Sequence, residues 1–418
     1  MLASSYPRLK LYTKPSRYAR IGWEMLTTRW RRGDDVERLE REIETLLPIR
    51  HAIAMPMART AIYHAVKAVI RPGDKVILSP YTIVDVVNMV VCAGGVPVFA
   101  DLEPGGCNLS ADQVKRLLDG DTRAVLVTHF YGEACEIERI AALCAKKKVA
   151  LIEDAAQAYG VKVNGRFVGT FGEIGVFSFG LYKNVNAFYG GMLVTSRDDV
   201  AQSVRAAIAN YPLESAARYL AKVAKGLIVD IATWPPLFRS LTFWIFRYAY
   251  LNDVKAITQQ FKIDYDPKMI REMPADYLRR MTPLQARLIR AQLNGVERAQ
   301  TGRILNAKHY DEGLKNLPGL TLPRLRTDGS HGYYYYCIQY PEREKLVRYA
   351  SLHGRDIQES YHRNCAELSC FGNYQRDCPN AEIAARSVIY LPVYPSYPAR
   401  EIDRTVEVIK RFFREESR

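Results

Sequence analysis

The chain has 418 residues, 48% hydrophobic and 25% charged, the balance of a globular protein with room for two domains. Its formal net charge of +14 favours anionic partners such as nucleotide phosphates or an acidic membrane surface, and without zinc-finger spacing or any other nucleic-acid motif no nucleic-acid partner is expected. There is no N-terminal apolar h-region, no run of 18 uncharged apolar residues, and no metal-ligand spacing among the eight scattered cysteines, so a signal peptide, a spanning helix and a metal site are not expected, and the thiols read as reduced in a cytoplasmic protein.

Residues 1–33 form a basic, aromatic N-terminal arm with Trp23, Trp30 and an Arg-rich end. From Asp34 to Leu47, apolar residues at Val36, Leu39, Ile43 and Leu46 recur with helical period. Strands are expected at His51–Met55, Lys75–Leu78, Arg123–Thr128, Val149–Ile152, Gly175–Phe179 and Met192–Thr195, with a helix from Ala58 to Val69. This alternation from about 50 to 200 argues for a mostly parallel sheet covered on both faces, an α/β fold. The run Val149–Ile152 delivers Glu153 and Asp154 at its C-terminal end, where ligands sit in open α/β sheets. The strand Gly175–Phe179 carries Ser178 and leads to Lys183. A buried acid, a hydroxyl and a lysine in that order suit pyridoxal 5′-phosphate (PLP): the acid keeps the ring nitrogen protonated, the serine binds the phosphate and the lysine forms the Schiff base.

The stretches EDAAQAYG (153–160), VGTFGEIGVFSF (168–179) and Lys183-Asn184 resemble the DegT/StrS family of fold-type I PLP aminotransferases, many of which aminate nucleotide-linked keto sugars. By this resemblance Asp154 is the pyridinium partner, Gln157 lies against the ring hydroxyl, Ser178 binds phosphate and Lys183 is the Schiff-base lysine. It implies a large PLP-binding domain with a mixed seven-stranded sheet (34–212), a small C-terminal α/β domain after a long helix (276–418), and a homodimer with active sites at its interface. An amino acid, expected to be glutamate, would be the amino donor and a keto sugar the acceptor.

The chain departs from the family pattern at several points. The family's Ser-Gly-Thr phosphate loop is here Met57, Ala58, Arg59 and Thr60, so the backbone of Ala58 with Arg59 or Thr60 is expected to reach the phosphate at a helix N-terminus. The position that stacks on the ring is Ile83, and Tyr81 is expected to substitute for it. An asparagine that crosses the dimer in the family is Leu278 here. The largest departure is residues 213–275, where two apolar segments, about 219–234 and 237–251, flank Trp234-Pro235-Pro236 and interleave with Lys222, Lys225, Arg239 and Arg247. Three readings of this insert stand open: a core or dimer-interface hairpin, a substrate lid, and a hairpin docked on an anionic membrane, the last making the enzyme peripheral at the inner membrane face with a lipid-linked sugar or polyol as acceptor. A PLP-fold regulatory protein without turnover is a further alternative to an enzyme.

Overall fold

The computed structural model describes residues 5–11, 13–254 and 267–416; residues 255–266 of the 213–275 insert lie outside them. A seven-stranded sheet forms the large domain. Its strands are β1 (His51–Met55), β2 (Lys75–Leu78), β4 (Val96–Phe99), β5 (Thr122–Thr128), β6 (Ala150–Asp154), β9 (Ile174–Ser178) and β10 (Gly191–Thr195). They lie in the order β1-β10-β9-β6-β5-β2-β4, with β10 antiparallel to both neighbours and the rest parallel, which is the mixed sheet expected. The interior strands are Val/Ile/Leu-rich and buried on both faces, as parallel strands must be when helices cover each side.

Edge strand β1 is protected by helix α2 (Asp35–Leu46). Leu39 and Ile43 bury its inner face, while Glu40 and Glu44 accept hydrogen bonds from the Ala54 and Ala52 N–H groups at 2.8 and 3.0 Å. Helix α1 (Pro15–Leu26) lies alongside the insert. Short strands β7 (Lys162–Val163) and β8 (Arg166–Phe167) form a hairpin beyond β6.

The small domain holds a three-stranded antiparallel sheet of β11 (Tyr336–Gln339), β14 (Val388–Leu391) and β12 (Gln358–Glu359), backed by helices Arg343–Leu352 and Ala399–Glu416. Strand β13 (Arg363–Asn364) pairs with β3 (Tyr81–Thr82), which stitches the small domain to the rim of the large sheet. The long helix expected after residue 280 is two helices, Pro283–Arg290 and Val296–Leu314, parted by a tight turn at Leu293–Gly295. At the break, Gln292 donates its Nε2 hydrogens to Leu288 O and to Asn186 O, tying the corner to the loop after Lys183.

The insert is a helical hairpin. Helix α8 (Ala216–Ala232) is capped at Thr233, and after Trp234 the pair Pro235-Pro236 starts a second helical stretch that runs through a π turn at Phe238–Thr242 to Leu251. Gly226 lets α8 settle onto the large domain, since a Cβ there would lie 2.6 Å from the Phe188 ring.

Candidate active site

The C-terminal edge of the parallel strands gathers the chemistry. The ladder places Thr128 opposite Asp154, and Asp154 opposite Val176, two residues before Ser178. Asp154 is buried, its Oδ1 accepts the Ala156 N–H at 3.0 Å, and it makes no ion pair among the described residues. Burial pushes its carboxyl pKa up, against the stabilising Ala156 N–H and the positive charge of Lys183. A buried carboxylate without a bonded cation is what a protonated ring nitrogen would complete. The donor set therefore fits the cofactor.

Lys183 follows β9 in a loop where its own N–H bonds Gly180 O at 3.0 Å. Burial, helped by the nearby Arg59 charge and opposed by Asp154, lowers its pKa to about 8. Its Nζ lies 5.1 Å from the centre of the Tyr334 ring, and the Tyr334 hydroxyl is held by Tyr182 O at 2.5 Å. An amine so poised is neutral about a tenth of the time at pH 7, far more often than an ordinary lysine, and the neutral form is the nucleophile.

The anion-binding end stands beside it. Helix α3 (Ala58–Lys67) starts without a side-chain cap, leaving the N–H groups of Ala58, Arg59 and Thr60 to an external acceptor. Ser178 is in register with Gly191, which also faces Met55 just before that helix. A Cβ on Gly191 would sit 2.7 Å from Ala58 N, so the backbone passes where a side chain would block it. The Ser178 Oγ accepts the Gly180 N–H at 3.5 Å.

Not every expected side chain arrives in that form. The Thr60 hydroxyl is fully buried and donates to Tyr277 O at 2.8 Å, so its proton is committed away from the phosphate position. Arg59 is braced by Asp85 (2.8 Å) and the Tyr277 hydroxyl (3.2 Å), half open to solvent. Gln157 accepts the Tyr131 N–H at 2.9 Å, which fixes its Oε1 and leaves its amide N–H₂ as the donor. Tyr81 departs from expectation. It is fully buried, with its hydroxyl 2.7 Å from Tyr131 and 2.8 Å from Ser360 and its ring against Phe130 and His362, so neither face is open for a cofactor ring to stack on.

That buried cluster is itself a feature the sequence pattern does not reveal. Tyr81 and Tyr131 from the large domain meet Ser360, His362 and Tyr390 from the small one, with the His362 Nδ1 at 2.9 Å from the Tyr390 hydroxyl. Burial, with the Lys183 charge, lowers the His362 pKa to about 3, so it is a neutral imidazole. Tyr131 takes a positive φ of 55°, a strained backbone held in place by these bonds. Glu153 is a second such residue. It accepts the Gly169 and Gly172 N–H groups at 2.8 and 2.6 Å and faces His129 Nε2 at 3.1 Å, which folds the glycine loop under the site. The signal for it was in view, an acid adjoining Asp154 and two glycines downstream, but its partners were not.

The insert also reaches this region. On α8, Lys222 lies 4.6 Å and Arg218 5.8 Å from the Tyr189 ring, and the Lys222 pKa is lowered by burial and then by Lys225, Arg59 and Arg218. Arg218 and Lys222 are thus turned toward Tyr189, with the Arg59 charge near Lys222.

Comparison with known proteins agrees with this architecture. The spore coat polysaccharide biosynthesis protein SpsC of Bacillus subtilis is 27% identical over 399 residues, covering 93% of this chain and 92% of its own. GDP-perosamine synthase of Vibrio cholerae is 39% identical over 168 residues, 40% of this chain and 46% of its own. Among solved structures, DesI with its TDP-sugar product superposes with a TM-score of 0.74 at 23% identity, covering 99% of this chain and 94% of that one. The model of the DegT/DnrJ/EryC1/StrS aminotransferase family matches residues 14–226 and 255–410, leaving the far half of the hairpin unmatched. With most of its length matched, the chain belongs to the DegT/DnrJ/EryC1/StrS aminotransferase family.

Proposed function

We propose that this aminotransferase uses pyridoxal 5′-phosphate to move an amino group from an amino acid, glutamate being the expected donor, to a nucleotide-linked keto sugar, working as a cytoplasmic homodimer. The observation that carries the reading is the pairing of a lysine lowered to about 8 with a buried, cation-free carboxylate at the ligand-binding edge of the sheet. The cofactor, when bound, supplies an electron-accepting ring. Asp154 would hold its ring nitrogen and keep it protonated, Gln157 would donate to its hydroxyl, and the α3 N-terminus with Ser178 and Arg59 would hold its phosphate. Lys183 would anchor the cofactor and, once freed by the incoming amine, would move a proton at Nζ between the substrate carbon that bears the nitrogen and the cofactor carbon joined to it, once in each half-reaction. Tyr334 shields that amine on one side, and the basin of Arg59, Arg218 and Lys222 draws an anionic acceptor toward it. The sugar class rests on relatives such as the UDP-N-acetyl-3-dehydro-alpha-D-glucosamine 3-aminotransferase of Acidithiobacillus ferrooxidans, 27% identical across 91% of this chain.

The test is purified protein with PLP and glutamate, followed in the visible and then with nucleotide-linked 3- and 4-keto sugars. A visible band that bleaches with glutamate and returns with a keto sugar, with the amino sugar detected by mass, is the expected result. A band indifferent to glutamate and every keto sugar would support instead the regulatory reading without turnover.

A further inference from the structure

The hairpin and the N-terminal arm form one outward surface. Helices α1 and α8 lie side by side, joined where the Tyr18 hydroxyl donates to Asp230 Oδ2 at 2.7 Å, and both pack on the cluster around Phe188 and Tyr219. Their remaining faces are exposed and apolar. On α8, Leu220, Leu227, Ile228 and Ile231 recur at helical spacing along one stripe, and Trp234 continues it at the turn, with Ile228 66% and Trp234 61% exposed. On α1, Trp23 is 62% and Leu26 83% exposed. Large apolar side chains gathered this way exceed what a soluble monomer leaves in water without a reason.

Charge decides what covers the surface. Between Lys14 and Arg32 the sequence holds one acid, Glu24, and between Ser215 and Asn252 one acid, Asp230. Glu24 is buried and bonded to Arg20 and Arg287, and Asp230 is held by Tyr18, so both acids are already engaged. The charge these two segments show to solvent is therefore positive, from residues such as Lys14, Arg20, Arg29 and Lys225. A second copy of the same surface would bring like charges together. An anionic bilayer complements both the charge and the apolar stripe. Among the described residues no helix is long and apolar enough to cross a membrane, which leaves α8 lying in the interface with tryptophans at headgroup depth. Residues 227–254, outside the family match, contain much of this surface.

We propose that the α1–α8 surface docks the enzyme on an anionic lipid bilayer. Docking is independent of the reaction proposed above and persists whatever the acceptor is, although it would place the active site beside lipid-carried sugars. The test is co-flotation of the PLP-loaded full chain with phosphatidylcholine vesicles with and without 30–40%, about a third, phosphatidylglycerol. The comparison variants are Ile228→Glu/Ile231→Glu, chosen because both positions are exposed, and Lys225→Glu. Wild type is expected to float with the anionic vesicles and to be released by salt. The double variant should lose on the order of tenfold or more in partitioning, with cofactor absorbance and oligomeric mass unchanged. Equal flotation of wild type and double variant, no flotation of either, or a double variant that changes from dimer to monomer would overturn the proposal, the last assigning the stripe to a second copy. Because the readout is vesicle binding, its failure leaves the aminotransferase reading untouched, and loss of turnover leaves docking untouched.

Discussion

Residues 150–183 and residues 216–251 treat their side chains in opposite ways. The first stretch buries its carboxylates, half-buries a lysine and gives the buried glutamate a full set of partners: Glu153 is bonded on both oxygens, while Asp154 and Lys183 keep one interaction open. The second keeps its acid and two of its bases inward and leaves an outer stripe of apolar residues, Leu227, Ile228, Ile231 and Trp234 among them, in water. Burying charge raises the cost of every missing partner, and exposing carbon raises the cost of being alone. Each region is therefore incomplete in a readable sense, the first toward a cationic ring and an anion, the second toward an apolar, negative surface.

Substitutions on the two sides should separate accordingly. Removing the open carboxylate should have the largest effect: Asp154→Ala is expected to weaken PLP binding by about 3 kcal/mol, roughly a hundredfold, measured by equilibrium dialysis against wild type. An unchanged affinity would remove Asp154 from the cofactor's contacts. Glu153→Ala, which leaves the Gly169 and Gly172 N–H groups and His129 Nε2 without their acceptor, should cost the fold about 1–3 kcal/mol in urea unfolding, while Glu153→Gln should recover part of it. On the hairpin the contrast is within one helix. Gly226→Val, driven into Phe188, should cost about 1–3 kcal/mol, whereas Ile231→Ser on the outer stripe should stay within about 0.5 kcal/mol. A large loss at Ile231 would mean that the stripe is packed within the monomer. The smallest effect is electrostatic. The rate at which cofactor-free protein takes up PLP covalently should rise with pH to a midpoint near 8, because the amine reacts only when deprotonated, and Arg59→Met should move that midpoint upward by removing the charge that helps lower it. A midpoint in the range of a free lysine would contradict the burial of Lys183.

How legible these regions were in the sequence follows from how far apart their partners lie. Asp154, Ser178 and Lys183 fall within thirty or so residues, and apolar runs ending in an acid or a hydroxyl signal them locally. The fate of Tyr81 depended on Tyr131, Ser360, His362 and Tyr390, as much as 309 positions away in the chain, so no local pattern could show that its ring is enclosed rather than open. Thr60 is the same case in small, its proton taken by a carbonyl at Tyr277. The Pro235-Pro236 break and the two apolar arms were plain in the sequence. The rotation of α8, which sends Arg218 and Lys222 inward and Ile228 outward, depended on where Gly226 meets Phe188. The turn at Leu293–Gly295 leaves no local mark, because flanking helical periodicity runs through it.

Everything proposed for the site turns on Lys183, rather than a neighbouring lysine such as Lys222, holding the cofactor. Borohydride reduction of the PLP-loaded protein followed by peptide mapping tests it most directly. One pyridoxyl group per chain on the peptide containing Lys183, absent from Lys183→Ala, is the result this account predicts; a stoichiometric adduct on Lys222, or one that survives Lys183→Ala, would contradict it.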